Sequence, residues 1–70
     1  MEKLIKEYGI YVRIERTPVD WGYTLRSALT GKELYDDGQN IVHKGGFSNY
    51  TAAEFSGMLA AKKYNQEMVH

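Results

Sequence analysis

The chain has 70 residues, no cysteine, and nine basic residues balanced by nine acidic ones. The length supports one domain, residues 1–70, and the zero net charge argues against a general polyanion binder. The missing cysteines favour a reducing compartment and no apolar run approaches about 18 residues, so we expect a cytoplasmic protein without a membrane segment.

The first predicted strand shows a period of two. From residue 10 to residue 15, branched apolar residues alternate with polar or aromatic ones, which is the pattern of a half-buried strand. We expect Ile10, Val12 and Ile14 to face the core. Residues 2 to 8 stay ambiguous, because their apolar residues have helical spacing but the segment could equally extend the strand.

A second strand follows a predicted turn. Thr17-Pro18-Val19-Asp20 is typical of a turn, because the proline fixes φ and the aspartate can bond nearby backbone. Residues 21 to 26 then alternate again between two sides. We expect the core side of this strand to comprise Leu25 and either Trp21 or Tyr23.

Glycine-containing turns divide the next part of the chain into short strands. A turn at 30–32 precedes a third strand that begins with Leu34-Tyr35. Asp37-Gly38 is a two-residue hairpin signal, so residues 41 to 43 are predicted to form a short fourth strand. Gly45-Gly46 is expected to end the sheet.

The predicted helix has a clear start. Thr51-Ala52-Ala53-Glu54 fits a capping box, in which the threonine and glutamate side chains each accept an amide proton that the helix leaves unbonded. Tyr50 and Phe55 fit the accompanying hydrophobic staple. Residues 52 to about 68 contain no proline and many alanines, so they predict one long helix.

Two faces of this helix compete for contact with the sheet. At about 100° per residue, Phe55, Met58 and Leu59 share one face, which we expect to pack on the sheet. A second face carries a ridge of small residues, Gly57 and Ala61. Close packing on the sheet of the same chain, a dimer and a partner contact are the alternatives for this ridge.

Together these elements predict an α+β domain, with a three- or four-stranded antiparallel sheet and one long C-terminal helix packed on one face. Such a sheet leaves its other face open. The predicted core, drawn from the apolar side of each element, comprises Ile10, Val12, Ile14, Trp21 or Tyr23, Leu25, Leu34, Phe47, Phe55, Met58 and Leu59.

The sequence offers little for catalysis or metal binding. His43 is the only internal histidine, and no nucleophile motif accompanies it. The acidic segment 36–40 lacks the spaced ligands of a calcium loop, and Gly45-Gly46 is not followed by a phosphate-binding motif. We therefore predict a protein that is not an enzyme, with no catalytic residue, no metal-binding residue and no cofactor.

The open sheet face and the hairpin rim are the predicted partner-binding surfaces. Tyrosine and arginine are enriched at interface hot spots, and six tyrosines are many for so small an interior. The candidate residues are Tyr11, Arg13 and Arg26 on the sheet face, and Tyr35, Asp36 and Asp37 at the rim.

Three segments resemble the DNA-binding domains of plant ethylene-response factors and integrase arms. They are Trp21-Gly22-Tyr23-Thr24-Leu25-Arg26, Gly45-Gly46-Phe47 and Thr51-Ala52-Ala53-Glu54-Phe55. The resemblance implies a three-stranded sheet followed by a helix. It also implies that the open sheet face enters the major groove of DNA, with Arg13 and Arg26 as contacts.

In size, neutrality and outline, the chain also resembles small proteins of bacteriophages and other mobile elements, including anti-CRISPR proteins and inhibitors of host enzymes. This resemblance implies an unidentified host or defence protein as the partner, in the host-cell cytoplasm. We therefore predict a non-enzymatic protein-binding module that occupies a partner surface. A small DNA-binding domain or accessory factor is the alternative, and a homodimer also stays open.

Overall fold

Six strands and one helix form in the part of the chain that the computed structural model describes, residues 2–36 and 40–68. In chain order they are β1 (Glu2–Ile5), β2 (Ile10–Arg16), β3 (Trp21–Ser27), β4 (Tyr35–Asp36), β5 (Asn40–Ile41), β6 (His43–Phe47) and α1 (Tyr50–Met68). The main sheet is antiparallel in the order β1-β2-β3-β6, and β4 and β5 form a separate pair. This confirms the predicted α+β class, with a four-stranded sheet and one C-terminal helix.

The ambiguous segment near the N-terminus is a strand. β1 pairs with β2, so that Leu4 lies opposite Tyr11. The turn between them closes on the carbonyl of Ile5, which accepts the amides of Tyr8 at 3.1 Å and Gly9 at 3.0 Å. Gly9 has a φ of 64°, which glycine adopts without steric cost. Pairing with β2 decides the structure of this segment, because a helix this short is unstable on its own.

The predicted turn at 17–20 joins β2 to β3 as a tight hairpin. Its ends pair through the Thr17 amide, which donates to the Asp20 carbonyl at 2.9 Å. The Thr17 hydroxyl accepts the amides of Val19 and Asp20 and donates to the Asp20 carboxylate at 2.6 Å. The threonine side chain, rather than that of the aspartate, therefore satisfies the backbone of this turn.

The glycine pair that was expected to end the sheet lies inside a strand instead. Gly45 and Gly46 belong to β6, which pairs with β3 with a shift in register. A side chain at Gly22 would lie 2.7 Å from the Lys44 carbonyl oxygen, and Gly46 has a φ of 89°. Glycines on both strands therefore allow a close, bulged approach of β6 to β3.

The predicted third and fourth strands form a side hairpin instead of joining the main sheet. β4 and β5 pair with each other, and the turn predicted at Asp37-Gly38 lies outside the described residues. Backbone bonds tie the base of this hairpin to β3, since Leu34 donates to the Leu25 carbonyl and Leu25 donates to the Val42 carbonyl. The fourth strand of the main sheet is therefore β6, rather than the strand predicted at 41–43.

The buried core follows the predicted apolar side of β2 and β3. Val12 and Leu25 are fully buried and lie opposite each other. Tyr23, rather than Trp21, is the aromatic residue buried on β3, and burial raises the pKa of its hydroxyl. The buried apolar residues among those described are Ile10, Val12, Ile14, Tyr23, Leu25, Ala53 and Ala61, with Leu34 and Phe47 half-buried against them.

The prediction of which helix face packs on the sheet is wrong. Phe55 is 65% exposed and Leu59 is 53% exposed, so both lie outside the core. Ala53, Gly57 and Ala61 are buried instead, and their spacing of four residues puts them on one side of the helix. The ridge of small residues therefore packs on the sheet of its own chain.

The close approach of the helix to the sheet explains this reversal. A Cβ atom added at Gly57 would lie 2.5 Å from Val12 Cγ1 and 3.1 Å from Tyr23 Cγ. The large side chains of the sheet fill the space beneath the helix. Only the hydrogen of Gly57 and the methyl groups of Ala53 and Ala61 fit above them. Side-chain volume, and not hydrophobicity, decides which side of the helix docks.

The helix starts at Tyr50, and its cap is Asn49 rather than Thr51. The Asn49 side-chain oxygen accepts the amide of Ala52 at 2.8 Å, which is the bond that an N-cap makes to the third helical residue. The ring of Tyr50 packs edge-on against Trp21, with the centroids 5.6 Å apart. The predicted capping box and staple are therefore wrong, because this contact with the sheet favours an earlier start.

The position of the cap predicts unequal effects of two substitutions. Asn49→Ala removes the acceptor of an otherwise unbonded amide, so it should lower the free energy of unfolding by about 1 kcal/mol. Thr51 is exposed, and Thr51→Ala should change this free energy by less than about 0.5 kcal/mol. Urea denaturation followed by circular dichroism measures both, and equal losses would contradict the assignment.

Substitution of Gly57 tests the close approach. In an isolated helix, glycine to alanine stabilises by about 1 kcal/mol. Here the added methyl group overlaps Val12 and Tyr23, so Gly57→Ala should destabilise the protein by about 1–3 kcal/mol. Thermal unfolding measures the change, with Lys63→Ala at an exposed position of α1 as the control for helix propensity. A raised Tm for Gly57→Ala would show that the contact has room for a methyl group.

Candidate functional site

The sheet face opposite the helix carries three of the predicted site residues. The register places Tyr11 opposite Arg26 and Arg13 opposite Thr24, and these side chains alternate with the core residues of the same strands. We call this surface the open face. Its residues are Glu2, Leu4, Tyr11, Arg13, Glu15, Thr24, Arg26 and His43.

Arg26 is held by two neighbours on the open face. Its guanidinium lies over the ring of Tyr11, 5.1 Å from the centroid, which is within the range of cation–π attraction. Its Nη2 donates to Glu2 Oε1 at 2.6 Å, and both of these side chains are about one-third exposed. Glu2 on β1 and Tyr11 on β2 thus fix the side chain of Arg26 on β3, through a charge-assisted bond and a ring contact.

The other arginine of the open face is also paired. Arg13 Nε lies 3.1 Å from Glu15 Oε1, and these side chains are more exposed than those of the first pair. Beside them, Thr24 Oγ1 lies 3.3 Å from His43 Nδ1. Each arginine has a glutamate as its neighbour, so the open face carries both signs of charge and forms no basic patch.

Two of the predicted rim residues, Tyr35 and Asp36, form β4, apart from the main sheet. Tyr35 is 46% exposed, and the backbone of Asp36 pairs with that of Asn40. Asp37 lies outside the described residues. Tyr35 therefore presents an exposed aromatic side chain on the β4–β5 hairpin.

An apolar groove that the sequence did not predict lies beside the helix. The groove has a volume of about 300 Å³ and lies between the β1–β2 turn and α1. Its lining residues are Ile5, Glu7, Tyr8, Phe55, Met58, Leu59 and Lys62. The signal in the sequence was the presence of two candidate faces on one helix, because only one of them can dock on the sheet.

The described residues offer no metal site and no membrane-spanning helix that would indicate a function. Within residues 2–36 and 40–68, no cluster of three or more histidine, aspartate or glutamate residues could hold a metal ion. No helix in this described part of the chain is both long and apolar enough to cross a membrane. No protein-family model matches the chain, and neither a curated protein nor a solved structure shows significant similarity to it. The open face and the groove are therefore the features of the described chain that bear on function.

Proposed function

We propose that this chain is a non-enzymatic protein-binding module whose open face covers the surface of a partner protein. The observation that carries the proposal is the stacked pair of Tyr11 and Arg26, in which Glu2 of β1 holds the guanidinium. Tyrosine and arginine are the residue types that often anchor protein interfaces. Here they lie side by side on the face of the sheet opposite α1.

The fixed geometry of the pair lowers the entropic cost of binding. Immobilising a flexible side chain at an interface costs about 0.5–1.5 kcal/mol. Arg26 is already restrained by the Glu2 carboxylate and by the Tyr11 ring, so less freedom is lost when a partner binds. A partner would pack an apolar group against Tyr11 and direct an acceptor at the guanidinium.

The charge pattern of the open face favours a protein over duplex DNA. DNA-binding proteins draw much of their affinity from basic residues that neutralise phosphates. Arg13 and Arg26 are each paired with a glutamate, and the whole chain has a net charge of zero. Those glutamates would repel phosphates, whereas a protein partner can offer charges complementary to both signs.

The resemblance to small phage proteins supports a finer proposal about the role of this module. In this finer proposal, the module acts as an inhibitor that covers a functional surface of a host or defence protein in the host-cell cytoplasm. The features that support this role are the small size, the net neutrality and the sheet-plus-helix outline. An inhibitor of this kind needs complementary shape and charge, and no chemistry of its own.

Capture of a partner from a host lysate should depend on the open face. The double variant Tyr11→Ala/Arg26→Ala is expected to weaken binding by about 30-fold or more, because it removes the two proposed anchors. It also loses the bond to Glu2 and about 1 kcal/mol of stability. Quantitative pull-down measures capture, with the wild-type chain as the reference.

Asn49→Ala is the matched control for this experiment. It should cost about 1 kcal/mol of stability at the helix cap and leave the open face intact, so it should capture the partner as the wild-type chain does. Full capture by the Tyr11→Ala/Arg26→Ala variant would move the site away from the open face, and Tyr35→Ala would then test the hairpin. If the double variant and Asn49→Ala lose capture of the partner equally, lower stability rather than the open face causes the loss.

Replacing the two glutamates that pair with the arginines of the open face tests the electrostatic argument against DNA binding. The wild-type chain is expected to give no mobility shift with duplex DNA at near-physiological salt. Glu2→Gln/Glu15→Gln leaves two unpaired arginines, so weak binding should appear with a log–log salt slope of about −2. A wild-type shift that disappears in Arg13→Ala would replace the protein proposal with the DNA-binding alternative.

A further inference from the structure

We propose that the apolar groove is the interface of a symmetric homodimer, in which the helix of a second copy lies beside α1. This inference goes beyond the proposed function, because the open face and the helix lie on opposite sides of the sheet. A dimer formed in this way leaves two open faces pointing outward, so either proposal can fail without the other.

The outer side of α1 carries two large apolar residues that face solvent. Phe55 and Leu59 lie two residues before and after Gly57, so a rotation of about 100° per residue puts both on the side away from the sheet. Their exposures of 65% and 53% agree with this position. Half-buried Met58 extends the apolar surface into the groove. Contiguous exposed apolar surface of this kind is typical of an interaction site.

The helix packs mainly on the two central strands of the sheet. α1 packs on β2 and β3 and touches β6, because a helix about 10 Å wide spans about two strands that are about 4.8 Å apart. β1 forms the edge of the sheet next to the helix, where Ile5 and Tyr8 line the groove. A second helix beside α1 would complete the layer over the sheet.

A second copy of the chain can supply this helix through a self-complementary contact. In a two-fold symmetric dimer, each copy must present both halves of the contact. The chain does so, since Phe55 and Leu59 are exposed on α1 while the half-buried Ile5 and Tyr8 form a strip that lines the groove beside it. Each helix lays its outer side on the strip of the other copy, and both apolar surfaces are buried together.

The charges that line the groove fit the same two-fold arrangement. Glu7 in the β1–β2 turn and Lys62 on α1 have opposite charges and both line the groove. Neither takes part in an ion pair within the described part of the chain. Two-fold symmetry lets Glu7 of each copy meet Lys62 of the other, and the zero net charge of the chain adds no repulsion.

Sedimentation velocity over a concentration series tests the dimer with the intact chain. The wild-type chain is expected to dimerise reversibly. Leu59→Glu buries two carboxylates in the apolar contact and should raise the dissociation constant by about 30-fold or more, while circular dichroism shows that it stays folded. Leu29→Glu is the matched control, because Leu29 is 93% exposed in the turn after β3 and does not line the groove.

Charge reversal distinguishes a second copy from any other occupant. Glu7→Lys and Lys62→Glu each put like charges across the interface, so each alone should weaken dimerisation several-fold, and the double reversal should restore it. A wild-type chain that stays monomeric throughout the series would overturn the proposal and leave the groove to a different protein. Equal dimerisation of Leu59→Glu and Leu29→Glu, or a double reversal that restores nothing, would overturn it as well.

Discussion

The architecture depends on how closely α1 can approach the sheet. At Gly57 the helix backbone lies so near Val12 and Tyr23 that a methyl group has no room. Ala53 and Ala61, one turn before and one turn after, are buried along the same seam. Because dispersion contacts require such short separations, this seam of small residues is the main link between the two layers, and it fixes the rotation of the helix about its axis.

The rotation of the helix determines the character of both sides of the molecule. It turns Phe55 and Leu59 outward, so the helix side of the molecule presents apolar surface beside the edge strand β1. The opposite side presents polar groups with fixed orientation, of which Arg26 between Glu2 and Tyr11 is the clearest case. Apolar surface suits a symmetric contact between copies, whereas oriented polar groups suit a chemically distinct partner.

β2 and β3 could be predicted from the sequence because burial on one face imposes a period of two, and the same alternation placed Tyr11, Arg13 and Arg26 on one surface. The docking side of the helix could not be predicted, since hydrophobicity ranks Phe55 above Ala53 but takes no account of the space available. The cap was missed because Thr51 offers the same chemistry as Asn49 two residues later. The role of Glu2 depends on the register of β1, which local sequence patterns do not encode.

The seam of small residues also governs how this protein can diverge. Gly57 has no room for a larger side chain, whereas Phe55 and Leu59 lie outside the core. Substitutions are therefore tolerated very differently on the two sides of the same helix. Substitutions on the outer side of α1 could therefore change the binding partner of this side, while the sheet and the seam stay the same.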